Sequence, residues 1–203
     1  MIKSRTYLLV VIIFVSFTAC KRDSSGPCGG RKSYYNLSDI DKAKVPYTGT
    51  DTLVFVSNTN DTAICLGQGK KQFYEKFTRI VSMGDCASDT DFYEAYNYGF
   101  KSNKTSFKLE LNIYKNDGYG LETIHATKNI DTEFRIYLVD INNKSISNYI
   151  DSIYVRNKWY NKVTVTSKYF NPNLDKLYYN KEFGILKIQN SDSTQVWELL
   201  TKK

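Results

Sequence analysis

Phe92, Glu94, Tyr96, Tyr98 and Phe100 alternate with Tyr93, Ala95 and Asn97 in this chain. A few positions on, Phe107, Leu109, Leu111 and Ile113 alternate with Lys108, Glu110 and Asn112. Side chains along a β-strand point to opposite faces in turn. A period of two with one apolar set therefore predicts strands with one dry face and one wet face. Ser102-Asn103-Lys104 lies between the two runs and reads as a turn. A chain with these runs must build a sheet that buries one side.

The flanking segments repeat the theme. Thr52 to Ser57, the turn Asn58-Thr59-Asn60-Asp61 and Thr62 to Leu66 predict a hairpin, and Lys70 to Val81 a separate third strand. Asn116-Asp117-Gly118 is a strong turn signal. Further strands are expected at Leu121–Thr127, Phe134–Val139, Tyr149–Val155, Lys162–Ser167, Leu177–Asn180, Ile185–Ile188 and Val196–Leu200. Short connections make sequence neighbours pair antiparallel. Strands do not alternate with long helices, which argues against an α/β fold. One short N-terminal helix is expected over Ser38 to Lys44: Ser38 can cap it, Asp39 and Asp41 sit at its positive end, and Pro46 stops it. The expected fold is mainly β, a curved antiparallel sheet forming a barrel or half-barrel, with a β-sandwich as the alternative.

The N-terminus carries an address. Lys3 and Arg5 precede the apolar run Tyr7 to Phe17, and small residues follow at Thr18 and Ala19. That run is shorter than the roughly 20 residues a membrane-spanning helix needs. Phe17-Thr18-Ala19-Cys20 resembles the lipobox of bacterial lipoproteins, with Phe where Leu is commoner. The resemblance implies cleavage before Cys20, a diacylglycerol on its thiol, and stable anchoring by two or three acyl chains. In lipoproteins an Asp after the lipidated Cys retains the protein at the inner membrane. Here that position is Lys21, which implies the outer membrane, and its periplasmic face in preference to the cell surface. Residues 1–19 are thus expected as a signal peptide, 20–33 as lipidated Cys and flexible tether, and 34–203 as a single β-rich domain.

The net charge is +7, and loss of residues 1–20 removes Lys3 and Arg5 and leaves +5. This excess is spread along the chain, and no basic run marks a nucleic-acid partner. With Cys20 assigned to lipid, Cys28, Cys65 and Cys86 remain. One disulfide and one free thiol is the simplest accounting in an oxidising compartment. The single His125 lies far from these cysteines and no Cys-x-x-Cys spacing occurs, so no metal site is expected.

Tyr47-Thr48-Gly49-Thr50-Asp51-Thr52-Leu53-Val54-Phe55, Asn58 to Thr62 and Gly67-Gln68-Gly69-Lys70 resemble the opening of a family of uncharacterised Bacteroidota outer-membrane lipoproteins. Tyr178 to Lys187 and Trp197-Glu198-Leu199 resemble that family's closing hairpin. The resemblance covers both ends of the mature domain and is thinner in the middle. It implies a disulfide between Cys28 and Cys86, with Cys65 as the free thiol. No activity comes with it.

Chemistry is sparse. His125 sits in an expected strand without a recognisable nucleophile motif, so no catalytic residue is assigned and an enzyme is not expected. Asp89, Asp91 and Glu94 lack the glycine and closing Glu of a calcium loop and read as a solvated turn, as does Asp140-Ile141-Asn142-Asn143. Gly67-Gln68-Gly69-Lys70 lacks the spacing of a phosphate-binding loop, and no cofactor is expected. Aromatic residues remain, with Tyr96, Tyr98, Tyr114 and Trp159 as candidate ligand-binding residues against the plainer reading that such rings fill the core. The expected function is a non-catalytic envelope lipoprotein held to the membrane by its lipid. It would bind a hydrophobic, glycan or protein ligand, or serve as a structural or accessory subunit of an outer-membrane complex.

Overall fold

A computed structural model describes residues 31–80, 88–105, 107, 109–116, 123–128, 132–137, 149–167 and 175–203. The signal peptide, Cys20, Cys28 and Cys86 lie outside the described residues, as do Asp117-Gly118 and Asp140 to Asn143. The chain falls into two units, residues 1–33 with 78–91, and residues 34–77 with 92–203. In the first, the Arg31 N–H donates to Asp89 Oδ1 at 2.9 Å and the Thr90 N–H to the Arg31 carbonyl at 2.8 Å. The second carries the core.

The described elements run β1(Lys32–Tyr35), α1(Asp39–Lys42), β2(Thr52–Ser57), β3(Thr62–Ile80), β4(Ser88–Ser102), β5(Leu109–Tyr114) and β6(Thr123–Lys128). They continue through β7(Thr132–Tyr137), β8(Tyr149–Val155), β9(Lys158–Ser167), β10(Lys176–Asn180), β11(Gly184–Gln189) and β12(Val196–Lys202). The strand order is β7-β6-β5-β4-β3-β2-β12-β11-β10-β9-β8, with β1 beside β4. Two runs of sequence-adjacent strands, β2 to β7 and β8 to β12, are therefore joined along one seam. There β2 and β12 pair antiparallel, with Ser57 opposite Trp197 and Leu53 opposite Lys202.

The sheet is mainly antiparallel, curved and open. Its ends are β7 and β8, and no ladder joins them among the described strands. The curl is nevertheless large: Thr166 Oγ1 on β9 donates to the Arg135 carbonyl on β7 at 2.8 Å. Two strands so far apart in the order can meet only if the sheet bends round. Alternation decides which side faces in. Leu53 and Phe55 on β2, Tyr96, Tyr98 and Phe100 on β4, Leu109, Leu111 and Ile113 on β5 and Trp197 on β12 are all buried. Burial of each such side chain contributes about 1.5–3 kcal/mol.

The stretch 37–51 packs against this inner face. Leu37, Val45 and Tyr47 are buried in the same core. Ser38 caps α1, its Oγ accepting the Asp41 N–H at 3.1 Å, and thereby satisfies a first-turn donor that the helix itself leaves unpaired. Tyr179 OH donates to the Lys44 carbonyl at 2.8 Å. The Ile185 N–H donates to Tyr47 OH at 2.7 Å.

The structure corrects three sequence expectations. The strands expected at Thr62–Leu66 and Lys70–Val81 are one strand, β3. Gly67 and Gly69 do not turn the chain; Gly67 lets it run flush against the preceding loop, and Gly69 takes the positive φ of 107 there. Their N–H groups donate to the carbonyls of Asp51 at 2.9 Å and Gly49 at 2.8 Å, and a Cβ on Gly67 would lie 2.3 Å from the Gly49 oxygen. Asp89, Asp91 and Glu94 do not form a solvated turn but lie in β4, with Asp91 and Glu94 buried. Finally, no sequence signal marks β1, because four residues are too few to display a period.

Candidate functional site: the cleft at Trp159

Two turns make the site. Between β8 and β9, Val155 pairs with Lys158 across a two-residue turn, with Arg156 at φ 47 and Asn157 at φ 64. Positive φ at both central residues is the turn whose twist matches paired strands. Arg156 adopts it while its Nη2 donates to the Ser57 carbonyl at 2.9 Å and its guanidinium lies against Glu198, 3.3 Å from Nε to Oε2. Between β10 and β11, Asn180 is the organiser. Its Oδ1 accepts the N–H groups of Glu182 at 2.7 Å and Phe183 at 3.1 Å, and its Nδ2 donates to the Asn161 carbonyl at 2.6 Å. One buried amide thus ties the second turn to β9.

Between them opens a cleft of about 470 Å³, lined by residues 158–162 of β9 and 180–183 of the β10–β11 turn. Its floor is aromatic. Tyr160 and Phe183 meet edge to face at 5.1 Å, and Lys158 Nζ stands 4.1 Å above the Phe183 ring. Trp159 is 64% exposed and leans on Tyr154 with ring centres 5.2 Å apart. The rim carries Lys158, Lys162 and Lys181 against Glu182. None of the lining residues is aliphatic, and none is Ser, Thr, Cys, His or Asp. Such a lining can hold a polar molecule with a flat apolar face.

The four aromatic candidates do not come together. Trp159 alone lines the cleft. Tyr96 and Tyr98 face the core: Tyr98 packs against Tyr47 with centres 6.4 Å apart, and burial pushes its phenol up to about 12. Tyr114 is opposite Ala95 on the outer face and meets Phe73 edge-on at 6.4 Å. Cys65 is a free, buried thiol on β3, raised to about 11 by burial despite a hydrogen bond with Ser102. His125 is opposite Asn112 and Arg135 in β6. Among the described residues no group of three or more His, Cys, Asp or Glu is placed to hold a metal ion, and no helix is long and apolar enough to cross a membrane.

Glu94 is the other polar centre, and its work is architectural. Its carboxylate accepts Tyr96 OH at 2.6 Å, Gln72 Nε2 at 2.7 Å and the Leu37 N–H at 2.8 Å, and pairs with Lys42 at 3.1 Å. Burial acts to raise its pKa, but these bonds outweigh burial and hold it below the usual range.

Sequence reasoning missed Lys158, Lys162, Asn180, Lys181 and Phe183. Their meeting depends on two turns brought together by the β9–β10 ladder, and residue spacing carries no trace of it. Comparison with protein-family models, curated proteins and solved structures found no match.

Proposed function

We propose that this chain is an envelope lipoprotein, lipidated at Cys20 and held at the periplasmic face of the outer membrane. Its β domain is a non-catalytic binding module that takes a glycan in the Trp159 cleft. One observation carries the glycan reading: an indole 64% exposed, on a rim of amide and ammonium groups with no aliphatic residue. A pyranose ring presents one face of C–H groups and an edge of hydroxyls, which suits a ring platform bordered by hydrogen-bond donors. A purely hydrophobic ligand would want a lining that this cleft lacks. Its volume falls in the usual range for small-molecule sites, about 300–1,000 Å³. The test is a saccharide panel read by protection of tryptophan emission from acrylamide. Protection by at least one saccharide, lost in Trp159→Ala, is the expected result; no protection by any sugar overturns the reading.

A second reading, an accessory subunit of an outer-membrane complex, is favoured by a separate patch. Tyr34 and Tyr74 are exposed and meet edge to face at 5.7 Å, with Tyr34 stacked on Phe92 at 4.8 Å. Crosslinking in intact cells that joins this patch to a membrane protein, with saccharides inert, would favour it.

A further inference from the structure

Resting on the glycan reading of the cleft, we infer that its ligand is an acidic saccharide, and that Lys162 is the residue that selects the charge. The backbone carries the argument. Lys162 lies in the middle of β9 yet has φ 56, in the left-handed region. A long side chain gains nothing intrinsic from that conformation, which glycine or asparagine adopts far more readily. Strain of this kind persists where the surroundings impose it and gathers at functional sites.

Its effect here is directional. Period-two alternation would place Lys162 on the same side as Tyr160 and Thr164, both buried, whereas Lys162 is exposed and lines the cleft. The β8–β9 register is continuous from Ser152 opposite Asn161 to Ile150 opposite Val163, with Lys162 across from Asp151 and only that pair missing from the ladder. The left-handed residue interrupts the ladder at one position without shifting its register, and its side chain lines the cleft instead of the core. Lys158 and Lys181 stand on the same rim, and Glu182 is the one acid there. No described ion pair joins Lys162, Lys158 or Lys181 to an acid. Three ammoniums against one carboxylate, around an exposed indole, fit a sugar that carries a carboxylate: the ring stacks on Trp159 and the charge meets Lys162.

The test uses the full chain in detergent, with trigalacturonate as the acidic probe and galactotriose as its neutral counterpart. Protection of Trp159 from acrylamide is the readout, since Trp197 is buried. Trigalacturonate should protect and galactotriose should protect much less, with the acidic sugar weakening severalfold between about 50 and about 500 mM NaCl. Lys162→Gly is the informative variant because glycine keeps the left-handed backbone while removing the charge. It should weaken trigalacturonate about fivefold or more while thermal stability stays level or rises. Lys162→Arg should retain affinity. Equal protection by both sugars, or unchanged affinity in Lys162→Gly, overturns the acidic assignment while leaving the glycan site intact. Protection by neither overturns the acidic assignment, and the glycan reading falls with it where no sugar of the panel protects either.

Discussion

At the scale of single residues, Gly184 is a position that tolerates no side chain. It has φ 83, and a Cβ there would lie 2.0 Å from Tyr47 OH and 2.3 Å from Cζ. Gly184→Ala therefore combines a disfavoured backbone with a collision inside the core, and should cost about 2–4 kcal/mol in urea unfolding. Tyr47→Phe relieves no collision and leaves the buried Ile185 N–H without its 2.7 Å acceptor; about 1–3 kcal/mol is expected from the same measurement. A cost below about 0.5 kcal/mol for either would mean that Tyr47 is not seated as described. The alternating run did identify Tyr96 and Tyr98 as rings on one face of a strand. What covers that face was not legible, because Tyr47 and Val45 reach it from a loop with no period of its own.

At the scale of elements, α1 depends on Glu94 more than on its own four residues, too few to form a stable helix alone. The Glu94 pKa is depressed, so its contribution to stability is full above the unfolded value near 4.3 and is lost as pH falls through the folded value. Lys42 is shifted the opposite way: burial lowers it, but its bonds with Glu94 and Tyr96 outweigh burial and raise it. Its contribution is full below the unfolded value near 10.4 and lost as pH rises through the folded value. Glu94→Gln should lower stability at pH 7 by about 1–3 kcal/mol and flatten the pH dependence below about pH 4. Urea midpoints across pH check this, and parallel curves for the two proteins would contradict it. Glu94 also marks the boundary of sequence reading. Its place in an apolar alternation was visible, and its acidic neighbours suggested a solvated turn; only the tertiary partners Gln72, Leu37 and Lys42 make burial of that charge tolerable. The long β3 escaped for a similar reason, since Gly67 and Gly69 look the same in a turn as in a strand pressed against another backbone.

At the scale of the whole molecule, the proposed anchor and the cysteines can be tested together. Cys20→Ser should release the mature domain from membranes, because the apolar run before it is too short to span; retention in high salt would refute the lipid anchor. Non-reducing peptide mapping should return Cys28 joined to Cys86 with Cys65 free, a loop whose closure contributes about 4 kcal/mol through the unfolded chain. A Cys65–Cys86 peptide would refute the pairing. Strand boundaries were readable along most of the chain, β2 and β8 to the residue, because each strand advertises its own period. The order of the strands was not, since nothing in β2 names β12 as its neighbour. That seam has a consequence for how the chain folds. Strands β2 to β7 can pair as they emerge, and so can β8 to β12, but the two groups are held apart until β12 reaches β2. The β2–β12 ladder joins strands far apart in sequence, and such long-range pairing is slow. Completion of the sheet is therefore paced by its longest-range ladder.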